Sequence, residues 1–214
     1  MDELLDLVLV GVLLMNFALL GTSRLSAAIK FAGSQGVLLG VALFVSHQQP
    51  GLRLILLAVA SAALKGLVIP TMLLRAMRNV SIRREIEPFV GFTTSLLLGA
   101  LATGLSLVFA HSLPLAAEHA GVLTVPASLA TVLTGFLVLT TRRKAITQVV
   151  GYLLLENGIF IMGLALLDAM PFLVEVGVLL DLFVAIFVMG IIINHISREF
   201  RTTDVRQLSS LKEE

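Results

Sequence analysis

The sequence predicts an all-α, polytopic membrane protein of about seven transmembrane helices, with its N-terminus outside and its C-terminus in the cytoplasm. Hydrophobic residues make up 57% of the chain and charged residues 14%, whereas charged residues form about 25% of soluble domains. The mean hydropathy of +1.01 reflects the same contrast. The apolar residues are also grouped into stretches of bilayer-spanning length, and the basic residues collect in alternate connections.

The candidate spans follow one another with short connections. They cover approximately residues 3–22, 24–46, 52–74, 88–111, 121–141, 145–167 and 172–197. Because almost the whole chain lies in these spans, there is no room for a soluble catalytic domain, and we expect a single membrane domain over residues 1–214. The start, Met-Asp-Glu-Leu-Leu-Asp, lacks the basic region of a cleavable signal peptide, so we expect the first span to be retained.

The distribution of basic residues predicts the orientation. They follow the first, third and fifth spans and fill the tail, whereas the opposite connections are acidic or neutral apart from Arg53. Cytoplasmic connections carry the excess of Lys and Arg, and an outside N-terminus with a cytoplasmic tail requires an odd number of spans. The basic residues on the predicted cytoplasmic side are Arg24, Lys30, Arg75, Arg78, Arg83, Arg84, Arg142, Arg143, Lys144, Arg198, Arg201, Arg206 and Lys212.

The residue inventory predicts no catalytic, cofactor or metal site on this chain. Cysteine is absent, which excludes iron–sulfur ligation and thiolate zinc sites here. The four histidines, His47, His111, His119 and His195, show no metal-ligand spacing. We therefore expect a non-enzymatic protein in a lipid bilayer, with no nucleic-acid partner.

The first two spans carry polar and small residues that we interpret as packing features. Asn16 is typical of a hydrogen bond between membrane helices, and the pair Gly36 and Gly40 is typical of a face that another helix approaches closely. The same interpretation applies to the run Gly33-Ser34-Gln35-Gly36.

The third span contains Lys65 near the middle of its length. Pro70 cannot donate a hydrogen bond to the carbonyl of Gly66, so we expect a bend there and a free acceptor beside Lys65. Two interpretations of Lys65 stay open: a structural lysine paired with a carboxylate, or part of a proton pathway. The fourth and fifth spans are uncharged and are predicted to be packing helices, with Pro88 in the first turn of the fourth.

The sixth and seventh spans carry buried acids. Gln148, Tyr152 and Glu156 lie at i, i+4 and i+8, so they share one helix face, with Asn157 beside them. Glu156 is about 11 residues, or roughly 16 Å, from one interface, close to the midplane of the bilayer.

Asp181 lies at a similar depth in the seventh span, between Glu175 near the outer interface and His195 near the cytoplasmic end. An intramembrane charge costs several kcal/mol unless it is compensated, so two acids and Lys65 at one depth predict an ion pathway. A satisfied structural pair is the alternative for Glu156 and Asp181, and an interfacial acid is the preferred interpretation of Glu175.

Two stretches of the chain resemble a known family. The run Arg142-Arg143-Lys144-Ala-Ile-Thr-Gln-Val-Val-Gly-Tyr-Leu-Leu-Leu-Glu156-Asn157-Gly158 resembles the basic loop and second helix of complex I subunit K. The seventh span with Asp181 and the polar tail resembles that subunit's third helix and tail. Across the whole chain, the closer resemblance is to the seven-helix hydrogenase-4 component E family of group 4 nickel–iron hydrogenase complexes, in which a Lys also precedes a Pro in the third helix.

The resemblance divides the chain into an N-terminal four-helix part (1–111), a subunit K-like three-helix part (121–200) and a cytoplasmic tail (201–214). It implies that Glu156 matches the first conserved glutamate of subunit K. Asp181 falls at the place of the second, with a carboxylate one methylene shorter. Subunit K is in turn similar to the MrpC component of the Mrp antiporters.

The implied function is that of a membrane-arm subunit of a complex I-like, energy-converting hydrogenase-type complex in the cell inner (cytoplasmic) membrane. Glu156, Asp181 and Lys65 would translocate protons or Na⁺, with Gln148, Tyr152, Asn157, His195 and Glu175 as a supporting polar path. The Ni-Fe site and iron–sulfur clusters are expected on peripheral redox subunits, beside antiporter-like and quinone-site-like membrane subunits. The alternatives are a non-conducting structural adaptor, a subunit of a cation/proton antiporter, and a stand-alone transporter.

Overall fold

A computed structural model describes residues 2–46, 51–79, 88–113 and 123–165, and these ranges are helical apart from their connections. One long helical segment is interrupted by a π-helical turn. The elements are α1 (Asp2–Gly21), α2 (Leu25–Val45), α3 (Leu52–Ala63), the π-helical turn (Leu64–Val68), α4 (Ile69–Asn79), α5 (Phe92–Ser112), α6 (Thr124–Thr141) and α7 (Ala145–Ala165).

Six helical segments in the described ranges are long and apolar enough to cross a bilayer, and the third of them joins α3, the π-helical turn and α4. They coincide with the first six predicted spans, so the chain is a multi-pass α-helical membrane protein. The predicted seventh span, 172–197, and the tail lie outside the described residues. The number of seven spans and the orientation in the membrane therefore stay predictions.

The start of α5 differs from the prediction. The helix begins at Phe92, so Pro88 precedes it rather than occupying its first turn. The residues between them form a connection that is held against the end of α6, because the Phe89 N–H donates to the carbonyl of Thr141 at 2.9 Å. That hydrogen bond is made in place of a further turn of α5.

Glycines allow α6 and α7 to form a tightly packed antiparallel hairpin. A Cβ atom on Gly135 would lie 2.7 Å from the Cα of Leu155, and one on Gly151 would lie 2.7 Å from the backbone nitrogen of Leu139. Small residues bring membrane helices into backbone contact in this way.

The same device joins α2 to the third span. A Cβ atom on Gly33 would lie 2.7 Å from the Cγ of Pro70, and one on Gly40 would lie 2.6 Å from the Cβ of Ala62. The predicted packing role of Gly36 and Gly40 is thereby confirmed. Because α2 also packs against α7, it lies between the two segments that carry the mid-depth charges.

The N-terminal and C-terminal parts of the chain share their apolar core. Helix α1 contacts α6, and α2 contacts α7. One cluster of buried residues includes Leu20, Ile69 and Leu154, and a second includes Leu43, Ala58 and Phe160. By contrast, α5 exposes many large apolar side chains, which are Leu97, Leu98, Leu101, Leu105, Leu107, Val108 and Phe109.

Candidate functional site

Lys65 and Glu156 form a buried ion pair between the third span and α7. The Nζ atom of Lys65 lies 3.4 Å from Oε1 of Glu156, and each side chain is only 4% exposed. Two of the three charges predicted at mid-depth are therefore brought together. Asp181, Glu175 and His195 lie outside the described residues.

The lysine projects from the π-helical turn Leu64–Val68. The Ile69 N–H donates to the carbonyl of Leu64, five residues earlier, which is the hydrogen bond of a π-helix. Pro70, the next residue, has no N–H and cannot donate a backbone hydrogen bond to the preceding turn. The structure thus has a widened turn where the sequence predicted a bend, and single π-helical turns are frequent at functional sites.

An aromatic ring completes one side of the lysine environment. The Nζ atom of Lys65 lies 4.9 Å from the centre of the Phe160 ring, within the range of a cation–π interaction. Because Phe160 is one turn after Glu156, both side chains lie on the same face of α7. The ammonium group therefore contacts a carboxylate and an aromatic face from one helix.

The Glu156 carboxylate is poorly satisfied. Neither of its oxygens accepts a hydrogen bond in the part of the chain that the structure describes. The 3.4 Å separation from Lys65 is also longer than the 2.7–2.9 Å of a charge-assisted hydrogen bond. A buried ion pair offsets its desolvation only with excellent geometry and further hydrogen bonds, so this pair is electrostatically costly.

Asn157 belongs to a different set of contacts from its neighbour Glu156. Its Nδ2 donates to Oε1 of Gln35 at 3.3 Å, and Nε2 of Gln35 donates to Oδ1 of Asn16 at 2.7 Å. Asn16 then donates to the hydroxyl of Thr131 at 2.9 Å. This amide chain, Asn157–Gln35–Asn16–Thr131, links α7, α2, α1 and α6, and the prediction of a helix–helix hydrogen bond at Asn16 is confirmed.

Gln35 is the residue that sequence reasoning underestimated. It is fully buried and also donates to the carbonyl of Val12 at 3.0 Å, so it bonds to two neighbouring helices at once. The signal was available, because an amide in the middle of a span needs partners on other helices.

Gln148 lies in the first turn of α7, and Tyr152 lies one turn later, between Gln148 and Glu156. Gln148 is half-buried, and its Nε2 donates to the carbonyl of Arg142 at 3.2 Å. Tyr152 is half-buried and packs against the cluster that includes Leu20, Ile69 and Leu154. Their predicted role in a path to Glu156 stays a prediction.

Arg142 was predicted only as one charge of a basic connection, yet it is 2% exposed. Its guanidinium donates to the carbonyl of Leu20 at 3.1 Å and to that of Val90 at 3.3 Å, and it lies 4.6 Å from the centre of the Phe92 ring. The last carbonyls of a helix lack partners within that helix. Arg142 donates a hydrogen bond to one such carbonyl in α1, that of Leu20. Its contacts hold the adjacent ends of α1, α5 and α6 together.

The fold and the site define a class: a multi-pass α-helical membrane protein whose helices enclose an ion pair at mid-depth. The chain is 33% identical over 215 residues to Uncharacterized protein Rv0085 of Mycobacterium tuberculosis, which covers 98% of this chain and 96% of that protein. It is 30% identical over 162 residues to hydrogenase-4 component E of Escherichia coli K12 and of Shigella flexneri, which covers 75% of this chain and 74% of each relative.

The chain therefore belongs to the hydrogenase-4 component E family. No family model matches the chain, and no solved structure matches it.

Proposed function

We propose that the chain is a membrane subunit of a complex I-like, energy-converting hydrogenase-type complex, in which the Lys65–Glu156 pair takes part in proton translocation. The observation that carries this proposal is the poorly satisfied carboxylate of Glu156, buried 3.4 Å from the Lys65 ammonium. Intramembrane ionisable residues commonly mark ion pathways. Membership of the hydrogenase-4 component E family supports the kind of complex.

Proton translocation at this site requires only that a proton move between Lys65 and Glu156. With the ammonium and the carboxylate in contact, the pair is neutral overall, and transfer of the proton from Nζ to Glu156 leaves it neutral. Separation of the two groups in apolar surroundings penalises the charged form. A redox-driven movement that lengthens the 3.4 Å contact would therefore shift the proton, without any chemistry on this chain.

The geometry favours H⁺ over Na⁺ as the ion at Glu156. A cation bound to the carboxylate would be repelled by the ammonium 3.4 Å away.

The rest of the proposed path depends on sequence. We assign Asp181 as a second proton carrier, supported by Glu175 and His195, because the C-terminal part resembles complex I subunit K. In the same scheme the partners are antiporter-like and quinone-site-like membrane subunits, with the Ni-Fe site and iron–sulfur clusters on peripheral subunits. If the scheme is correct, a tagged chain should copurify with nickel and iron, whereas a stand-alone transporter would not.

A structural adaptor is the second candidate, and the close contact of Lys65 with Glu156 is the observation that favours it. The Glu156→Gln variant distinguishes a proton carrier from a structural adaptor, because it keeps the size of the side chain and removes its charge. In a proton carrier the complex should assemble, keep electron transfer to artificial acceptors and lose most translocation. In an adaptor, loss of the carboxylate charge from the buried pair should cost about 3–5 kcal/mol and impair assembly.

The control for Glu156→Gln is Glu3→Gln, an equal change at an exposed acid of α1. A double variant, Lys65→Met with Glu156→Gln, removes both charges and should restore the assembly of an adaptor but not the translocation of a pump. Normal translocation by an assembled Glu156→Gln complex would rule out the proton-carrier role.

A further inference from the structure

Ser61 is a buried hydroxyl whose hydrogen bonds are unaccounted for. It is 0% exposed in α3, and within the described ranges its Oγ has no hydrogen-bond partner. Serine and threonine in membrane helices commonly donate to a carbonyl of the preceding turn, as Ser106 does to Ala102 at 2.8 Å and Thr103 does to Gly99 at 2.9 Å. An unsatisfied buried hydroxyl costs about 1–3 kcal/mol, so a hydrogen-bonding ligand is expected at Ser61.

The position of Ser61 relates it to the ion pair. It lies one turn before Lys65, so the two residues share a face of the helix, with Cβ atoms roughly 5–6 Å apart. Helical side chains lean toward the N-terminus of their helix, which brings the stem of Lys65 over Ser61. The tip of the same side chain reaches Glu156. Ser61 and Glu156 therefore border one lysine side chain, at its base and at its tip.

Neighbouring residues place Ser61 on one particular side of the pair. Ala58, at the preceding turn of α3, belongs to the same apolar cluster as Phe160, the residue one turn beyond Glu156 on α7. Ser61 thus lies on the side of Lys65 that faces this cluster. In the predicted topology, the N-terminal end of α3 is the outer end, so Ser61 lies on the outward side of Lys65.

We propose that Ser61 and Glu156 bind a water molecule beside Lys65, and that this water is the outward proton connection of the ion pair. Two hydrogen bonds of about 2.8 Å allow one water to join polar atoms roughly 5–6 Å apart, and Ser61 and Glu156 border the same lysine side chain. A buried water makes about three hydrogen bonds. Ser61 Oγ, Glu156 Oε1 and Glu156 Oε2, which have no hydrogen-bond partner among the described residues, can supply them. The role of this water as a proton connection rests on the proposed function, whereas its binding by Ser61 and Glu156 does not.

The amide chain is a poorer candidate for the connection, although Asn157 adjoins Glu156. Amides neither gain nor lose a proton readily, and Gln35 is already bonded to Asn157, Asn16 and Val12. A hydroxyl can donate and accept at the same time, so Ser61 can orient a water without becoming charged. When protonated Glu156 releases its proton, its O–H bond breaks, one forms on the water, and another O–H bond of that water breaks toward the next water.

The test compares three substitutions in membrane vesicles that hold the complete complex. Ser61→Ala removes one oxygen from a helix interior, and translocation should fall at least about tenfold, while electron transfer to artificial acceptors is kept. Ser61→Thr restores a hydroxyl and should return translocation to within about twofold of wild type. Ser106→Ala removes a buried hydroxyl that is bonded to its own helix, and it should have no effect.

Infrared spectroscopy of the same complex provides an independent measurement. A bound-water band that shifts in H₂¹⁸O should be present in wild type and lost in both Ser61→Ala and Glu156→Gln. Normal translocation by Ser61→Ala, with translocation lost in Glu156→Gln, would overturn the outward connection and leave the proposed function standing. If Glu156→Gln translocates normally, the proposed function fails together with the connection, and the band still decides whether this site binds water.

Discussion

Gly36 of α2 packs directly on the backbone of Lys65, so that a Cβ atom at position 36 would lie 2.9 Å from the Lys65 carbonyl carbon and overlap its Cβ. The next residue back along α2, Gln35, holds Asn157 through a hydrogen bond. Consecutive residues of one helix therefore contact both sides of the ion pair, at the backbone of Lys65 and at the side chain of Asn157. The geometry of the pair depends on α2 as much as on the charges themselves.

The first prediction concerns Gly36→Ala. The added methyl group must displace Lys65, and overpacking of this kind costs about 1–3 kcal/mol. We expect a lower unfolding temperature of the purified complex and weakened translocation. Gly104→Ala is the control, because a Cβ atom at that exposed helical position meets nothing within 4 Å. Equal unfolding temperatures for the two variants would show that the contact with Lys65 is not tight.

The second prediction concerns the amide chain. Gln35→Leu leaves the amides of Asn16 and Asn157 without their shared partner, and hydrogen bonds between membrane helices contribute about 0.6 kcal/mol on average and up to about 1.7. We expect a loss of about 1–2 kcal/mol in the free energy of unfolding, measured by denaturant titration in detergent. The control is Ser34→Ala, because Ser34 is the exposed neighbour of Gln35 in α2. A Gln35→Leu protein as stable as this control would contradict a stabilising role for the chain.

The third prediction compares two adjacent arginines. Arg142→Leu leaves the carbonyls of Leu20 and Val90 without this donor, which costs about 1–3 kcal/mol for each group. Arg143→Leu removes an equal charge from an exposed side chain that lies over Phe89 at 4.4 Å. We expect the first variant to reduce the amount of folded protein in membranes and the second to leave it nearly unchanged. Equal amounts would mean that only the charge of the connection matters.

The fourth prediction is the orientation. Reporter fusions should place the connections near Arg83 and Arg143 and the C-terminus in the cytoplasm, with those near Gln49, Glu118 and Ala169 outside. The reason is the asymmetry of basic residues. A cytoplasmic N-terminus would reverse the direction of the proposed water connection, and an even number of spans would put Asp181 at a different depth.

Hydropathy predicted the six described spans because length and apolar composition alone determine whether a helix can cross a bilayer. Depth along each helix predicted that Lys65 and Glu156 could meet. Depth does not define which faces of different helices come together, since that depends on packing. The sequence therefore predicted contact between Lys65 and Glu156 only as a possibility. The structure is needed to show that the two groups lie 3.4 Å apart.

The residues that were missed are those whose role depends on contacts far along the chain. Gln35 bonds to Asn157 across 122 positions, and Arg142 reaches the carbonyl of Leu20 across the same separation. A basic residue in a short connection looks the same in the sequence whether it is solvated or buried. The structure distinguishes the buried case, because the ends of α1, α5 and α6 meet at the Arg142 guanidinium.

The π-helical turn keeps one face of the third span in contact with α2. Ala58, Ala62, Gly66 and Pro70 all meet glycines of α2, although a regular α-helix would rotate by about 120° beyond three full turns over those twelve steps. The extra residue held in the turn absorbs about 100° of this rotation, so one face of the span can follow α2 along its length. If the turn became regular α-helix with every residue kept, either Ala58 and Ala62 or Gly66 and Pro70 would swing away from α2. Deletion of one residue between Leu64 and Val68 would instead leave eleven regular steps, which rotate only about 20° beyond three turns and keep both pairs against α2.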